Sequence, residues 1–295
     1  MHDTEHRLRL RSLLEGDTCV HPATVYDPIS ARLAEMAGYG VAVLPGSLAS
    51  AAVLGVPDLI LLTLTEFAEQ ARRTARYSDL AIIADADHGY GNALNVVRTV
   101  EELESAGMAG LTLEDTLLPA PYGASGGMVS TDEMTARLRA ALAARSDPSL
   151  VIVARTNAFN AGVSTEEAVA RLTAYAATGV DAIMVVGTTR PEQITAVGDA
   201  VALPLIVGNV PASEPSLTDL GFLAAHRARI AYQQQPAFLA SVLAQYEVMR
   251  HLHEGGSLAS VPHAGAPSAL VDEMLRRGDY DEAQRLYVKG EAKRS

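Results

Sequence analysis

One pattern recurs along this 295-residue chain and sets most of what it can fold into. A helix-forming stretch ends in glycine, and an apolar run begins two or three residues later. It reads "ARLAEMAGYGVAVLPG", "VEELESAGMAGLTLED" and "RLTAYAATGVDAIMVVG". Gly38, Gly107 and Gly179 stand where a helix C-terminus needs a left-handed residue. The runs that follow are short and non-alternating, as expected of parallel strands covered on both faces. Extending the pattern predicts strands near 19–25, 41–45, 81–85, 109–114, 150–155, 181–186, 203–207 and 228–232. Helices are predicted near 29–37, 65–77, 93–106, 131–145, 164–178, 190–199, 216–225 and 237–253. Eight strands alternating with helices over about 250 residues is the count of a (β/α)8 TIM barrel, with a doubly wound open sheet as the alternative. The barrel domain is expected over 1–255. A loop-like "EGGSLASVPHAGAPS" then leads into a C-terminal helical extension, 256–295, with two short helices.

Composition removes several classes of function. A formal net charge of -12 argues against nucleic acid or an anionic membrane as partner, while leaving room for a small anion in a locally positive pocket. Cys19 is the single cysteine, so neither an internal disulfide nor a multi-cysteine zinc site is available. The only lysines, Lys289 and Lys293, lie in the polar tail, which disfavours Schiff-base chemistry. The N-terminal "MHDTEHRLRLRSLLEG" reads as an amphipathic helix without the apolar core of a signal peptide, and no apolar run reaches the roughly 18 residues of a membrane span. A soluble cytoplasmic protein is expected.

In a barrel the chemistry sits where strands end. The third strand ends "IIADADHGYGN", placing Asp85 and Asp87 one residue apart, on one side if the extended backbone persists through Ala86. The fourth ends in Glu114 and Asp115, the fifth in "ARTN" with Arg155, and Asp58 lies in the loop "GVPDLILLT". Asp58, Asp85, Asp87 and Glu114 form an all-oxygen set suited to Mg²⁺ or Mn²⁺. Arg155, together with a turn at Pro45-Gly46-Ser47-Leu48, offers a fork and backbone donors for a carboxylate. The whole describes a site for a small 2-oxo acid whose enolate is stabilised by a metal. The plainer alternatives are a helix cap or surface turn for Asp-x-Asp, a structural role for His88, and a structural ion pair for Arg155.

The stretch "DADHGYGNALNVVRTVEELESAGMAGLTLEDTLLPA" resembles the signature region of the isocitrate lyase/phosphoenolpyruvate mutase superfamily. "VYDPISARLAEMAGYG", "LPGSLAS", "GVPDLILLT" and "ARTNA" fall in the order such a chain would show, over roughly residues 10–250. The resemblance implies a (β/α)8 barrel with its terminal helix swapped between subunits of a homodimer or homotetramer. It also implies C–C or P–C chemistry beside a 2-oxo acid. By the same resemblance Asp85 would be the direct Mg²⁺ ligand. Asp58, Asp87 and Glu114 would hold its waters, and Arg155 would grip the substrate. Gly46, Ser47 and Leu48 would bind the substrate's other end.

The loop "LLPAPYGASGGMVSTDE" has neither the Lys-Cys-Gly-His of the isocitrate-type lyases nor the Lys-Thr-Asn of the phosphonate mutases. It is most similar to the oxaloacetate decarboxylase branch, which implies a carboxy-lyase. The alternatives are a P–C mutase or hydrolase, and a relative that binds 2-oxo acids or forms C–C bonds in biosynthesis. Gln235 falls where relatives tend to place a His; it can position an enolate but does not titrate. Tyr122 on the loop is the candidate acid.

Overall fold

The computed structural model describes residues 2–123, 127–211, 213–263 and 265–290. The chain forms two compact units, Met1–Gln234 and Gln235–Ser295. The first opens with α1 (His2–Glu15), β1 (Ala23–Thr24), α2 (Pro28–Met36), β2 (Val41–Leu44), α3 (Gly46–Leu54) and α4 (Leu64–Ala75). It continues with β3 (Ala81–Asp85), α5 (Ala93–Ser105), β4 (Gly110–Glu114), α6 (Thr131–Ala144), β5 (Val151–Thr156) and α7 (Thr165–Ala176). It closes with β6 (Ala182–Val186), α8 (Pro191–Ala200), β7 (Leu205–Gly208), α9 (Pro215–Thr218), α10 (Leu220–Ala225) and β8 (Ala228–Tyr232).

All neighbouring strands pair in parallel, in sequence order from β1 to β8. The sheet closes through Val20, just before β1. Its N–H donates to the Arg229 carbonyl at 3.0 Å, and its carbonyl accepts from the Ala231 N–H at 2.9 Å. The unit is a (β/α)8 barrel, as the strand count predicts. Gly38, Gly107 and Gly179 have φ of 90°, 89° and 93°, the left-handed conformation expected after a helix. Side chains of Asp27, Thr63, Asn92, Ser130 and Ser164 cap the helices that follow them.

Period-two alternation divides the apolar residues into two cores. Val41, Ile83, Val151, Val153, Met184 and Ile206 fill the barrel interior, joined by Leu10 and Leu14 from α1. Ile82, Leu111, Ile152 and Val185 face the helix layer instead. α1 therefore closes the N-terminal end of the barrel. Arg7 holds it there, donating to the Glu104 and Met108 carbonyls at 2.8 and 3.1 Å and to Asp147 at 2.8 Å.

The elements differ from the sequence expectation in three places. The segment at Gly46 is the first turn of a helix rather than a free turn, because "GSLASAAVL" runs unbroken to Gly55, whose φ is 68°. The helix expected over 216–225 is two, since the Asp219 side chain accepts from Gly221 N–H at 2.8 Å and starts a new cap. Only Ala23 and Thr24 of the predicted 19–25 form a regular strand. The second unit contains α11 (Pro236–His253), a short 3₁₀ turn (Leu258–Ser260), α12 (Ser268–Met274) and α13 (Arg277–Ala283), which runs into a π turn (Gln284–Val288). Lys293 of the polar tail and residues 124–126 of the loop around 119–130 lie outside the described residues. Among the described residues no helix is long and apolar enough to cross a membrane.

Leu10 is fully buried and Leu8 on the same helix is 54% exposed. Leu10→Ala is expected to cost about 2–5 kcal/mol by opening a cavity under the barrel, and Leu8→Ala less than about 0.5 kcal/mol. Urea unfolding of the two variants measures the difference.

Candidate active site

Ala81, Ile83 and Asp85 of β3 face the barrel interior, as do Gly110, Thr112 and Glu114 of β4 and Val151, Val153 and Arg155 of β5. In each strand the apolar or small residues lie below, and the last inward position is polar. Asp85 is level with Thr112, and Glu114 with Arg155 one inward rung higher. This offset lets Arg155 reach both acids. Its Nη1 lies 2.7 Å from Asp85 Oδ2 and its Nη2 2.9 Å from Glu114 Oε2. Thr112 Oγ1 donates to Asp85 Oδ1 at 3.0 Å, and Asn157 Nδ2 donates to Glu114 Oε2 at 2.9 Å. The same Asn157 amide also meets Thr116 Oγ1.

Asp87 arrives by a different route from the one alternation suggests. The extended backbone ends at Asp85, and Asp87 has φ of 47°. Its carbonyl accepts from the Glu114 N–H at 2.8 Å, tying the loop to β4. Its carboxyl rests against Gly46 so closely that a Cβ there would lie 2.9 Å from Oδ1. Gly46 is the first residue of α3, whose N-cap, Pro45, makes no side-chain cap hydrogen bond. The first turn of α3 at Gly46, Ser47 and Leu48, whose N-cap residue supplies no side-chain cap, thus stands beside the carboxylates, and a helix N-terminus attracts anions.

The electrostatics follow from crowding. Burial first, with Asp85 among the neighbouring like charges, pushes Glu114 up to about 7 against the pull of Arg155. Burial and the charges of Asp85, Glu114 and Asp58 raise the Asp87 carboxyl well above the carboxylate range. Desolvation and then Asp85 raise Asp58, which is exposed at the rim. Burial and the charges of Asp87, Asp85 and Asp58 keep the Tyr90 phenol protonated. One guanidinium faces four carboxylates here. Among the described residues no three His, Cys, Asp or Glu side chains stand as a ready-made ligand set, and Arg155 engages both Asp85 and Glu114. The donors are nonetheless all hard oxygens in negative excess, which fits a cation such as Mg²⁺ or Mn²⁺.

Asp85, Glu114 and Arg155 are in direct contact, Asp87 lies against Gly46, and Asp58 is within the field of Asp85. Tyr122 is fully exposed on its loop. Gln235 opens the second unit as the N-cap of α11. His88 is buried behind the site. Desolvation and then the Arg137 charge push it down to about 4, and it has the structural character weighed for it above. Asp115 points away from Glu114, to the helix side, where Thr156 Oγ1, Asn157 N–H and Tyr175 OH donate to it at 2.7, 3.0 and 2.9 Å. Sequence reasoning passed over Thr112 and Asn157. Thr112 was findable as the inward position between Gly110 and Glu114, and Asn157 lies in the same "ARTN" as Arg155.

A barrel with acids and an arginine at three adjacent strand ends defines a class. The profile of the phosphoenolpyruvate phosphomutase family matches residues 10–250, and the chain belongs to the phosphoenolpyruvate mutase/isocitrate lyase superfamily. Among curated proteins it is 46% identical over 291 residues to an oxaloacetate decarboxylase of Paraburkholderia xenovorans (strain LB400), covering 98% of this chain and 96% of that protein. It is 48% identical over 286 residues to an oxaloacetate decarboxylase of Rhodopseudomonas palustris (strain BisB5), covering 96% and 97%. Among solved structures, a phosphonopyruvate hydrolase in complex with oxalate and Mg²⁺ superposes with a TM-score of 0.83 at 30% identity, over 96% of this chain and 99% of that one. An oxaloacetate acetylhydrolase in complex with the inhibitor 3,3-difluorooxalacetate gives 0.83 at 28% identity, over 98% of each chain.

The raised Glu114 value has a stability consequence. Between the unfolded carboxyl value and about 7, the folded state holds a proton that the unfolded state has lost. Metal-free protein therefore loses stability as pH rises through that window. The urea midpoint is expected to fall between pH 5.5 and pH 7.5, and Glu114→Gln is expected to reduce that fall.

Proposed function

We propose that this protein is a Mg²⁺-dependent carboxy-lyase that converts oxaloacetate to pyruvate and CO₂. The observation that carries the reading is the Asp85–Arg155–Glu114 cluster beside the N-terminal end of α3, in a chain nearly half identical to oxaloacetate decarboxylases along almost its whole length. Asp85 would hold the metal directly, and Asp58, Asp87 and Glu114 would hold its waters. When bound, Mg²⁺ supplies positive charge that lowers the cost of negative charge on the 2-oxo oxygen.

The chain's own groups do the rest. Gly46, Ser47 and Leu48 bind the 1-carboxylate at the α3 N-terminus. Arg155, held in place by two acids, keeps a guanidinium where negative charge develops as the C3–C4 bond breaks and its electron pair moves toward the 2-oxo oxygen. CO₂ leaves from C4, and C3 then takes a proton. A glutamine at 235 does not titrate, so proton delivery does not rest on it. The loop after β4 carries neither cysteine nor lysine, and decarboxylation asks for neither.

A cytoplasmic homodimer or homotetramer belongs to the same reading. The subunit association is supported by α11, which buries none of its residues and leaves Leu239, Leu243, Tyr246 and Met249 exposed. P–C hydrolysis is the second reading, favoured by the likeness to phosphonopyruvate hydrolase.

Pyruvate release from oxaloacetate, corrected for the rate with Mg²⁺ alone, tests the proposal. Asp85→Ala is expected to lower the protein-dependent rate by about 10²–10³-fold or more. Gly46→Ala, which forces Asp87 aside, is expected to lower it by about 10–100-fold. A wild-type rate no better than the metal blank, with phosphate released from phosphonopyruvate, would move the assignment to the second reading.

A further inference from the structure

The opposite end of the barrel carries a second polar cavity, of about 400 Å³, that the chemistry above does not use. Arg11 and Leu14 of α1 line it with Glu15 at the helix end, Asp181 just before β6, and Arg227 and Arg229 at the start of β8. Asp181 and Arg227 precede β6 and β8, Arg229 is the second residue of β8, and the others lie on α1, so the cavity is on the N-terminal face.

Its charge is unusual for a chain of net -12. Three guanidinium groups face two carboxylates. Asp181 is already saturated: Oδ1 accepts from Arg11 at 2.9 Å, and Oδ2 from Arg145, outside the cavity, at 2.6 Å and from the Ile152 N–H at 2.8 Å. Arg229 donates through Nη1 to the Ala224 and Ala228 carbonyls at 3.0 and 3.1 Å, while its Nε is buried with no hydrogen-bond partner. The Arg227 guanidinium makes no ion pair among the described residues. Its backbone has φ of 66°, a conformation costly for a side chain other than glycine. The left-handed Arg227 ends α10, its N–H donating to the Ala224 carbonyl at 3.1 Å, and this places an exposed, unpaired guanidinium at the cavity mouth beside Arg229 and Arg11. The cavity volume falls within the range of small-ligand sites.

We propose that this cavity binds a compact oxyanion with at least two acceptor oxygens, a phosphate group or a small dicarboxylate, held between Arg227, Arg229 and Arg11. Because Arg11 and Leu14 belong to the helix that closes the barrel, occupancy stabilises that closure by linkage.

Thermal unfolding of the full chain without divalent metal tests this, using inorganic phosphate and succinate separately, with ionic strength fixed by sodium chloride. A saturable rise in Tm is expected from at least one probe, and the probe that gives it identifies the ligand class. Arg227→Gly removes the charge and relieves the φ strain, so folding and oxaloacetate turnover are expected to persist while Kd rises by about tenfold or more. Arg227→Asn, which also tolerates this backbone, is expected to match it. Glu15→Gln, which removes the rim carboxylate that lacks a cationic partner, is expected to tighten binding severalfold. No saturable rise with either probe, or a Kd unchanged in both Arg227 variants, overturns the proposal.

Discussion

The candidate site depends on one guanidinium. Asp85 and Glu114 point into the top of the barrel from adjacent strands, and both are mostly buried. Two carboxylates so placed repel each other across a medium that screens them weakly. Arg155 offsets this because its planar fork gives one nitrogen to each acid. A lysine would offer a single point of charge and could not bridge two acids at different heights with the same geometry. The one-rung offset between Asp85 and Glu114 comes from strand register. The pairing of strands, which is backbone geometry, thereby sets the distance over which the side-chain charges are balanced.

The remaining acids are placed by the backbone rather than by ion pairs. Asp87 lies in a left-handed conformation, with its carbonyl held by the Glu114 N–H and its carboxyl resting on a glycine. The N-terminal end of α3 brings partial positive charge to the same place without spending a side chain on it. Positive charge at the site thus comes from Arg155 and from peptide dipoles, in keeping with a chain that has almost no lysine.

Much of this was legible in the sequence because the signals are local and repeated. A glycine after each of three helices, followed by a short apolar run, locates strand starts closely; β3, predicted over 81–85, is Ala81–Asp85. The acids and the arginine were found because strand ends are where a barrel does its chemistry. What the sequence hid depends on conformation at single residues. "ADADHG" looks like continued alternation, and nothing in it announces that Asp87 turns left-handed. "PGSLAS" looks like a turn because Pro and Gly lead it, although Pro45 stands at the N-cap and Gly46 begins the helix. Asp115 looks like a partner of Glu114, but neighbours on a strand face opposite ways, and it serves Thr156 and Tyr175 behind the sheet.

The closure of the barrel through Val20 gives it a seam. Strands β4 and β5 are matched over five residue pairs, whereas β8 meets the start of the chain at a single bridge, and β1 meets β2 over two pairs. Pairing is thus most extensive between β4 and β5, which carry Glu114 and Arg155, and thinnest at the seam opposite them. Breathing that splays the seam costs few backbone hydrogen bonds and leaves the charge cluster in register. The molecule is built like a collar whose clasp lies opposite the Glu114–Arg155 pair, so opening the clasp breaks few backbone hydrogen bonds and none that align that pair.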